Sequence, residues 1–206
     1  LISANPFIVE YVPFERIRRA VRISAEVFAH KVMVYQHLFY DQFRQMGLKG
    51  TMALEEYVRR AGHGLQYAEL LPGGRVSYSL GHLFRKYPAE RFFSSSCRHE
   101  LIRDWHIHID NQGNYVPGYC AGLSLGDARH LNPLCQEGID LEALTVLQAL
   151  VKSLEALYRL GREYGYQESS GYVSKCHLCI DIRRHLVNTA EFRELQPVQF
   201  YQHLDD

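Results

Sequence analysis

The length, composition and charge of the chain limit the kinds of protein it can be. Its 206 residues fit one large domain or two small ones, and 47% hydrophobic with 22% charged residues are typical of a folded globular protein. Lys plus Arg equals Asp plus Glu at 23 each, so no net field favours nucleic acid or a membrane surface. No apolar run reaches the ~18 residues that a membrane span needs, and no signal peptide is visible. We therefore expect a cytoplasmic protein without nucleic-acid or membrane partners.

The N-terminal third of the sequence alternates between strand and helix patterns. Three predicted strands and two predicted helices follow one another, at residues 1–9, 14–28, 31–36, 53–60 and 67–71. The helix at 14–28 has an apolar face for the core and an arginine-rich face for solvent or a partner. This order is typical of parallel βα units, and three units are too few to close a barrel of eight. The fold expected here is α/β, with an open half of a partial (β/α) barrel.

A turn that contains Gly73, Gly74 and Arg75 follows the third predicted strand. Adjacent glycines let a backbone approach a ligand closely, and the arginine could meet a carboxylate or a phosphate. The alternative is a plain turn with a surface arginine, because no G-x-G-x-x-G or P-loop pattern follows. We keep the three residues as candidates for cofactor binding.

Residues 106–116 predict a β-hairpin. Polar residues alternate with isoleucines along its first strand, so His106, His108 and Asp110 share one face. Turn-forming residues and a second short strand follow, and Cys120 comes just beyond them. A zinc hydrolase built on the three polar groups is one hypothesis, but no H-E-x-x-H or similar base motif supports it.

The rest of the chain is predicted to be mainly helical. The predicted helices cover residues 78–87, 99–103 and 141–164, a segment capped by Ser174, and residues 197–203. With the hairpin, these helices are expected to form a cysteine-bearing extension that follows the half-barrel.

Cysteines are the strongest chemical signal in the sequence. Five are present, an odd number, and Cys176 and Cys179 form a C-x-x-C, which without a secretion signal favours metal or redox chemistry over disulfides. Cys120, flanked by Gly118 and Gly122, is the natural third ligand.

The sequence does not determine the fourth ligand. Cys97 is one candidate, and an imidazole of His108 or His177 is another. Four thiolates suit zinc and an iron–sulfur cluster equally by ligand type. Cys135 is interpreted as a packing residue rather than a ligand.

Two segments resemble a known superfamily. H-I-D-x-x-G-N-Y-V-P-G-Y-C-A-G-L-x-L-G at 108–126 resembles the segment that follows the barrel of radical S-adenosylmethionine proteins. G-Y-V-S-K-C-H-L-C-I-D-I-R at 171–183 resembles the cysteine-bearing segment after it, in the SPASM or twitch extensions that hold an auxiliary iron–sulfur cluster. The resemblance implies that residues 1–90 are the second half of the partial barrel and residues 91–206 the extension.

The resemblance also implies a ligand set and a cofactor. Cys97, Cys120, Cys176 and Cys179 would hold a 4Fe–4S cluster, and Lys175, His177 and Arg183 would supply hydrogen bonds that tune it. Gly73, Gly74 and Arg75 would lie at the C-terminal edge of a barrel strand, where cofactors such as S-adenosylmethionine bind in such folds.

One departure from the superfamily limits the expected activity. The C-x-x-x-C-x-x-C that holds the S-adenosylmethionine-cleaving cluster is absent, and the chain begins with Leu1 rather than Met. We expect the C-terminal part of a radical enzyme, inactive alone, whose partner is a missing barrel half and whose substrate is a peptide or small molecule. The alternative is a zinc-stabilised binding module without catalysis.

Overall fold

The protein is a helix-rich α/β chain that separates into two compact units. A computed structural model describes residues 1–67, 73–102 and 107–205. The units are Leu1–Leu70 and Leu71–Asp206. The division at residue 90 that the resemblance implies refers to family domains and stays a prediction.

Residues 1–67 of the first unit form two short strands and four helices, which are β1 (Ile2–Ser3), α1 (Pro6–Val9), α2 (Phe14–Phe28), β2 (Val34–Tyr35), α3 (His37–Gln45) and α4 (Leu54–Ala61). Turns of 3₁₀ helix cover Ala29–Lys31 and Gly62–Tyr67. The two strands are parallel, with Ile2 opposite Val34, which agrees with the predicted βα order. Most of the third predicted strand, at 67–71, lies outside the described residues. No closed barrel forms in the described ranges.

Of the strand predicted at residues 1–9, only Ile2–Ser3 forms a strand, and the prediction is wrong for the residues that follow. Asn5 has an extended backbone, and its side chain accepts a hydrogen bond of 3.0 Å from the backbone N–H of Ile8. Pro6, with its φ restricted, then occupies the first helical position. An Asn-Pro pair is therefore a helix start here, and the apolar residues that follow belong to α1.

An aromatic cluster fills the core of the first unit. The ring centroids of Phe14 and Phe43 are 5.5 Å apart, and those of Phe43 and Tyr57 are 5.6 Å apart. Phe39 packs edge-on against Tyr57 at 5.9 Å. Phe39 and Phe43 lie four positions apart on α3, so both face the core. This helix was not predicted, although the apolar spacing of these two residues indicates one helical turn.

The apolar face of α2 is only partly covered. Phe14 and Ile17 are buried, but Val27 and Phe28 near its end are 65% and 58% exposed. The prediction of a continuous core face is thus wrong for the C-terminal end of the helix, where Phe28 is exposed.

The described residues of the second unit form a hairpin and seven helices, which are α5 (Arg75–Ser79), α6 (Arg98–Leu101), β3 (His108–Ile109), β4 (Tyr115–Val116), α7 (Asn132–Glu137), α8 (Thr145–Lys152), α9 (Leu154–Glu163), α10 (Lys175–Thr189) and α11 (Val198–Gln202). Turns of 3₁₀ helix cover Gly81–Leu83 and Ala89–Phe92. Its core lies between α8, α9 and α10. The hairpin is antiparallel with His108 opposite Val116, which confirms the prediction for these strands.

The long helix predicted at 141–164 is two helices. Ser153 has an extended backbone between α8 and α9, and its hydroxyl accepts a hydrogen bond of 3.1 Å from the backbone N–H of Ala156. Serine favours such caps because it competes for backbone hydrogen bonds. The predicted helix at 78–87 is likewise wrong, since α5 ends at Ser79. The helices behind Ser174 and Pro197 are confirmed.

Within the described part of the chain, no helix is both long and apolar enough to cross a membrane.

Candidate metal centre

Three separate segments of the second unit supply cysteines. Cys97 precedes α6, Cys120 lies in the turn after β4, and Cys176 and Cys179 occupy the first two turns of α10. All four are free thiols. Cys97 and Cys179 are buried, Cys120 is half-buried, and the residue Cys176 is the most accessible.

Cys97 is held by backbone hydrogen bonds. Its N–H donates to the carbonyl of Leu150 in α8 at 3.3 Å, and its own carbonyl accepts from the N–H of Leu101 at 3.0 Å. The second bond forms the first turn of α6. The thiol is therefore fixed between α6 and α8.

The turn that carries Cys120 depends on two glycines. Gly118 has a φ of +53°, and a Cβ there would lie 2.0 Å from the carbonyl oxygen of Glu100. Gly122 has a φ of +77°, and a Cβ there would lie 2.4 Å from a ring atom of Phe200. Both positions combine the left-handed backbone with a close approach, so only glycine fits.

Side chains from distant elements anchor the same turn. His108 contacts the carbonyl oxygen of Gly118 through Nδ1 at 2.6 Å. Tyr201 of α11 donates its hydroxyl proton to the carbonyl oxygen of Gly122 at 2.5 Å. The Cys120 turn is thus attached to the hairpin on one side and to the last helix on the other.

The helix α10 presents its cysteines on one face. Ser174 caps its start, because the serine hydroxyl accepts from the N–H of His177 at 3.0 Å. Spacings of three and four residues place Cys176, Cys179 and Arg183 on the same side.

The opposite face of α10 carries different chemistry. The ring of His177 packs against Tyr78 and Tyr172, at centroid distances of 5.1 and 5.4 Å. Asp181 accepts a hydrogen bond of 2.7 Å from the hydroxyl of Tyr166. His177 therefore belongs to a tyrosine cluster rather than to the cysteine face, and burial lowers its pKa.

The charges of the four thiols act on one another. Burial raises the pKa of Cys97, and a thiolate at Cys179 would raise it again. Burial is also the main cause that raises the pKa of Cys120 to about 12, with Arg183 opposing it. Charge on Cys176 adds to both shifts, and burial raises the pKa of its own thiol although the residue as a whole is accessible.

This coupling has a chemical consequence. The thiolate, not the thiol, binds a metal. Several thiolates cannot be held so near one another unless positive charge compensates them. A bound metal centre supplies such charge and releases the thiol protons. The four cysteines named from the sequence thus influence one another's pKa, and their role as ligands of one centre stays a prediction.

An ion pair borders the cysteines. Lys175 at the start of α10 pairs with Glu100 in α6. Burial would lower the pKa of Lys175, but the hydrogen bond to Glu100 and the nearby Cys97 hold it above its usual value. Glu100 was not recognised in the sequence, because an isolated acidic residue in a short helix carries no signal.

The Gly73, Gly74 and Arg75 turn also lies beside a cysteine. A Cβ added to Gly73 would be 3.5 Å from the Cβ of Cys176. Gly74, with a φ of +55°, precedes α5, and Arg75 is its first residue. Gly73 thus makes an ordinary van der Waals contact with Cys176 and Gly74 has no neighbour within 4 Å of its Cβ position, so cofactor binding at this turn stays a prediction.

The three polar groups proposed for a zinc hydrolase do not form a metal site in the described residues. Asp110 accepts hydrogen bonds of 2.9 Å from the backbone N–H groups of Gln112 and Asn114, so its carboxylate stabilises the hairpin turn. His108 contacts a backbone carbonyl. His106 lies outside the described residues.

The isoleucines that alternate with these groups do not face a core. Ile107 and Ile109 are 62% and 56% exposed, so the polar side of the strand is the more covered one. Cys135, predicted to be packed, is exposed on α7. It therefore lies on a different element from the other four cysteines.

The spacing of the four thiols differs from that of a single-ion site. Within residues 1–67, 73–102 and 107–205, no three His, Cys, Asp or Glu side chains have the geometry to hold one metal ion. Zinc bonds of ~2.3 Å would place thiolate sulfurs about 3.8 Å apart. In a 4Fe–4S cluster each thiolate binds a different iron atom, so the sulfurs surround the cluster. By ligand type, the four cysteines match the donor set of such a cluster.

Comparisons of this chain with protein-family profiles, with curated proteins and with solved structures find no match.

Proposed function

We propose that the second unit binds a 4Fe–4S cluster through Cys97, Cys120, Cys176 and Cys179. The observation that supports the proposal is that three segments of the second unit supply four free thiols whose charges raise one another's pKa. Cysteine thiolates are the usual ligands of such clusters, and four of them complete a cubane. When bound, the cluster supplies one-electron chemistry, and the chain's own residues hold and shield it.

We further propose that the chain is the C-terminal part of a radical S-adenosylmethionine enzyme. The parallel pair β1 and β2, joined through helices, supports a partial barrel in the first unit. The exposed apolar residues Val27 and Phe28 on α2 are a surface that a further βα element would cover. In this proposal, Gly73, Gly74 and Arg75 contact S-adenosylmethionine in the full-length protein, and the substrate is a peptide or small molecule.

The cluster is tested by anaerobic reconstitution of the 206-residue chain with iron and sulfide. We expect about four iron atoms and four labile sulfides per chain with charge-transfer absorption in the visible range. Serine at any of the four cysteines should lower iron content and thermal stability.

Cys135→Ser is the matched control, because this exposed cysteine lies outside the coupled group. It should leave iron content unchanged. A wild-type chain with neither iron nor labile sulfide would remove the cluster. Stoichiometric zinc without visible absorption would support the alternative, a zinc-stabilised binding module.

The reading frame upstream of Leu1 tests the rest of the proposal. A C-x-x-x-C-x-x-C there would support a radical enzyme. An upstream frame that encodes no such motif would contradict it, while leaving the cluster in the second unit as an independent question.

A further inference from the structure

Arg183 is a buried arginine on the cysteine face of α10. It is 2% exposed, although arginine is almost never fully buried unless its charge is paired. A buried, uncompensated cation costs several kcal/mol of free energy, on the order of the penalties measured for broken buried ion pairs. The position of this guanidinium therefore requires an explanation.

The contacts of Arg183 are all close to cysteines. Its Nη1 donates to the carbonyl oxygen of Ala121, next to Cys120, at 3.0 Å. It also donates to the hydroxyl of Tyr201 at 2.9 Å, and Cys179 lies one turn before it on the same helix. Arg183 thus joins the Cys120 turn to the helix that carries two other cysteines.

No carboxylate neutralises this charge. Among the described residues, neither Asp nor Glu forms an ion pair with Arg183, and its buried Nε has no hydrogen-bond partner there. Burial by itself lowers the pKa of Arg183, while Tyr201, Cys179 and Cys120 raise it above its usual value. The ionisable groups that can oppose the charge are therefore the hydroxyl of Tyr201 and two of the proposed ligands.

We propose that Arg183 is the counter-charge of the four-thiolate centre and raises the reduction potential of its cluster, an inference that rests on the proposed function. Four thiolates around the cluster give the centre net negative charge, which a buried cation offsets. One-electron reduction adds negative charge, so a guanidinium beside Cys179 and Cys120 stabilises the reduced state more than the oxidised state. Arg183 acts through the ligands and is a positioning residue.

The experiment separates charge from shape at this position. Reconstituted wild type, Arg183→Lys, Arg183→Gln and Arg183→Met are titrated with a low-potential chemical reductant, and reduction is followed by visible absorption and electron paramagnetic resonance. We expect the two neutral variants to have more negative potentials than wild type and Arg183→Lys to remain close to wild type.

Arg184→Gln is the matched control on the same helix. Arg184 pairs with Asp205 at 2.5 Å and stacks on Tyr78 at 5.6 Å, on the other face from the cysteines. Its loss should move the potential much less. Equal potentials in wild type and both neutral variants, or an equal shift with lysine, would overturn the proposal, because geometry rather than charge would then explain Arg183.

Further outcomes distinguish this inference from the proposed cluster. If the chain binds zinc instead of iron, the proposed cluster is wrong, and the role of Arg183 is then tested by competition for zinc with a chelator. In that case Arg183→Gln should weaken the affinity for zinc roughly 10–100-fold, and Arg183→Lys should weaken it much less. A chain that binds neither metal overturns both. If only the two neutral variants fail to fold with metal, the requirement for a positive charge at this position is supported. If all three Arg183 variants fail to fold, Arg183 acts through packing and the proposal is overturned.

Discussion

The two compact units fill their interiors with different kinds of side chain. In Leu1–Leu70 the fully buried large residues are aromatic, including Phe39, Phe43 and Tyr57. In Leu71–Asp206 the core contains leucines and tyrosines such as Tyr172 and Tyr201, together with cysteines, Arg183 and Glu194. Every buried polar or charged residue found in the described ranges belongs to this second unit, namely Ser77, Ser124, His177, Arg183 and Glu194.

The difference shows which core is complete by itself. Apolar side chains need only each other, whereas buried charges need partners. Glu194 has one, because its carboxylate accepts a hydrogen bond of 2.7 Å from the N–H of Val146 at the start of α8. Arg183 has thiols instead of a carboxylate. The second unit is thus built around groups whose charges a bound centre would balance.

The largest expected effect comes from loading that centre. A ligand present at a thousand times its dissociation constant stabilises the folded state by about 4 kcal/mol. We expect backbone amides of α6 and α10 to exchange hydrogen more slowly after reconstitution. Amides of α3 and α4 in the first unit should not change, as measured by hydrogen exchange and mass spectrometry. An equal slowing of amide hydrogen exchange in both units would contradict a centre that stabilises the second unit alone.

The next effect separates backbone strain from close approach. Gly118→Ala should destabilise the chain by about 3 kcal/mol or more, since left-handed backbone costs an alanine roughly 1–2 kcal/mol and overpacking typically adds about 1–3. Gly47→Ala in the first unit is the control, because its φ of +66° is similar but nothing lies within 4 Å of its Cβ position. It should cost only the strain. Denaturant unfolding measures both, and similar losses would contradict the close approach at Gly118.

A smaller effect compares two buried tyrosine hydroxyls. Tyr201→Phe removes the donor to Gly122 and the acceptor for Arg183, and we expect a loss of about 2–3 kcal/mol because a charged group is involved. Tyr57→Phe removes one hydrogen bond of 2.6 Å to half-buried Gln42, and we expect about 1 kcal/mol. Thermal unfolding of both variants tests the order. A larger loss from Tyr57→Phe would show that the polar groups of the second core are not its critical contacts.

The smallest expected effect is pH-dependent. Burial would raise the pKa of Asp110, but hydrogen bonds from Asn114 and neighbouring N–H groups hold it below the usual 3.8. The unfolded state therefore binds the proton first as the pH falls, and the hairpin loses stability below about pH 4. Asp110→Asn should remove this part of the acid dependence. An unchanged acid limb of the stability curve would mean that the carboxylate does not stabilise the turn.

Local patterns in the sequence predicted some elements well. Ser174 before an apolar run predicted α10, and turn residues between two short strands predicted the hairpin. The prediction of helix ends was wrong where a polar residue interrupts a longer apolar pattern, as Ser153 does between α8 and α9. The helix α1 was not predicted, because Asn5 and Pro6 were interpreted as a break in a strand. In the structure Asn5 caps the helix and Pro6 is its first residue.

The sequence by itself named the candidate donors, because thiols, flanking glycines and a C-x-x-C are properties of residue type and spacing. Only the tertiary structure decided that Cys97, 23 positions before Cys120, is buried where other thiols act on its pKa, and that Cys135 is exposed. It also decided that Arg183 is buried against the Cys120 turn, while Arg184 pairs with Asp205. Which side chains meet depends on how α8, α10 and α11 pack, and long-range packing leaves no local pattern in the chain.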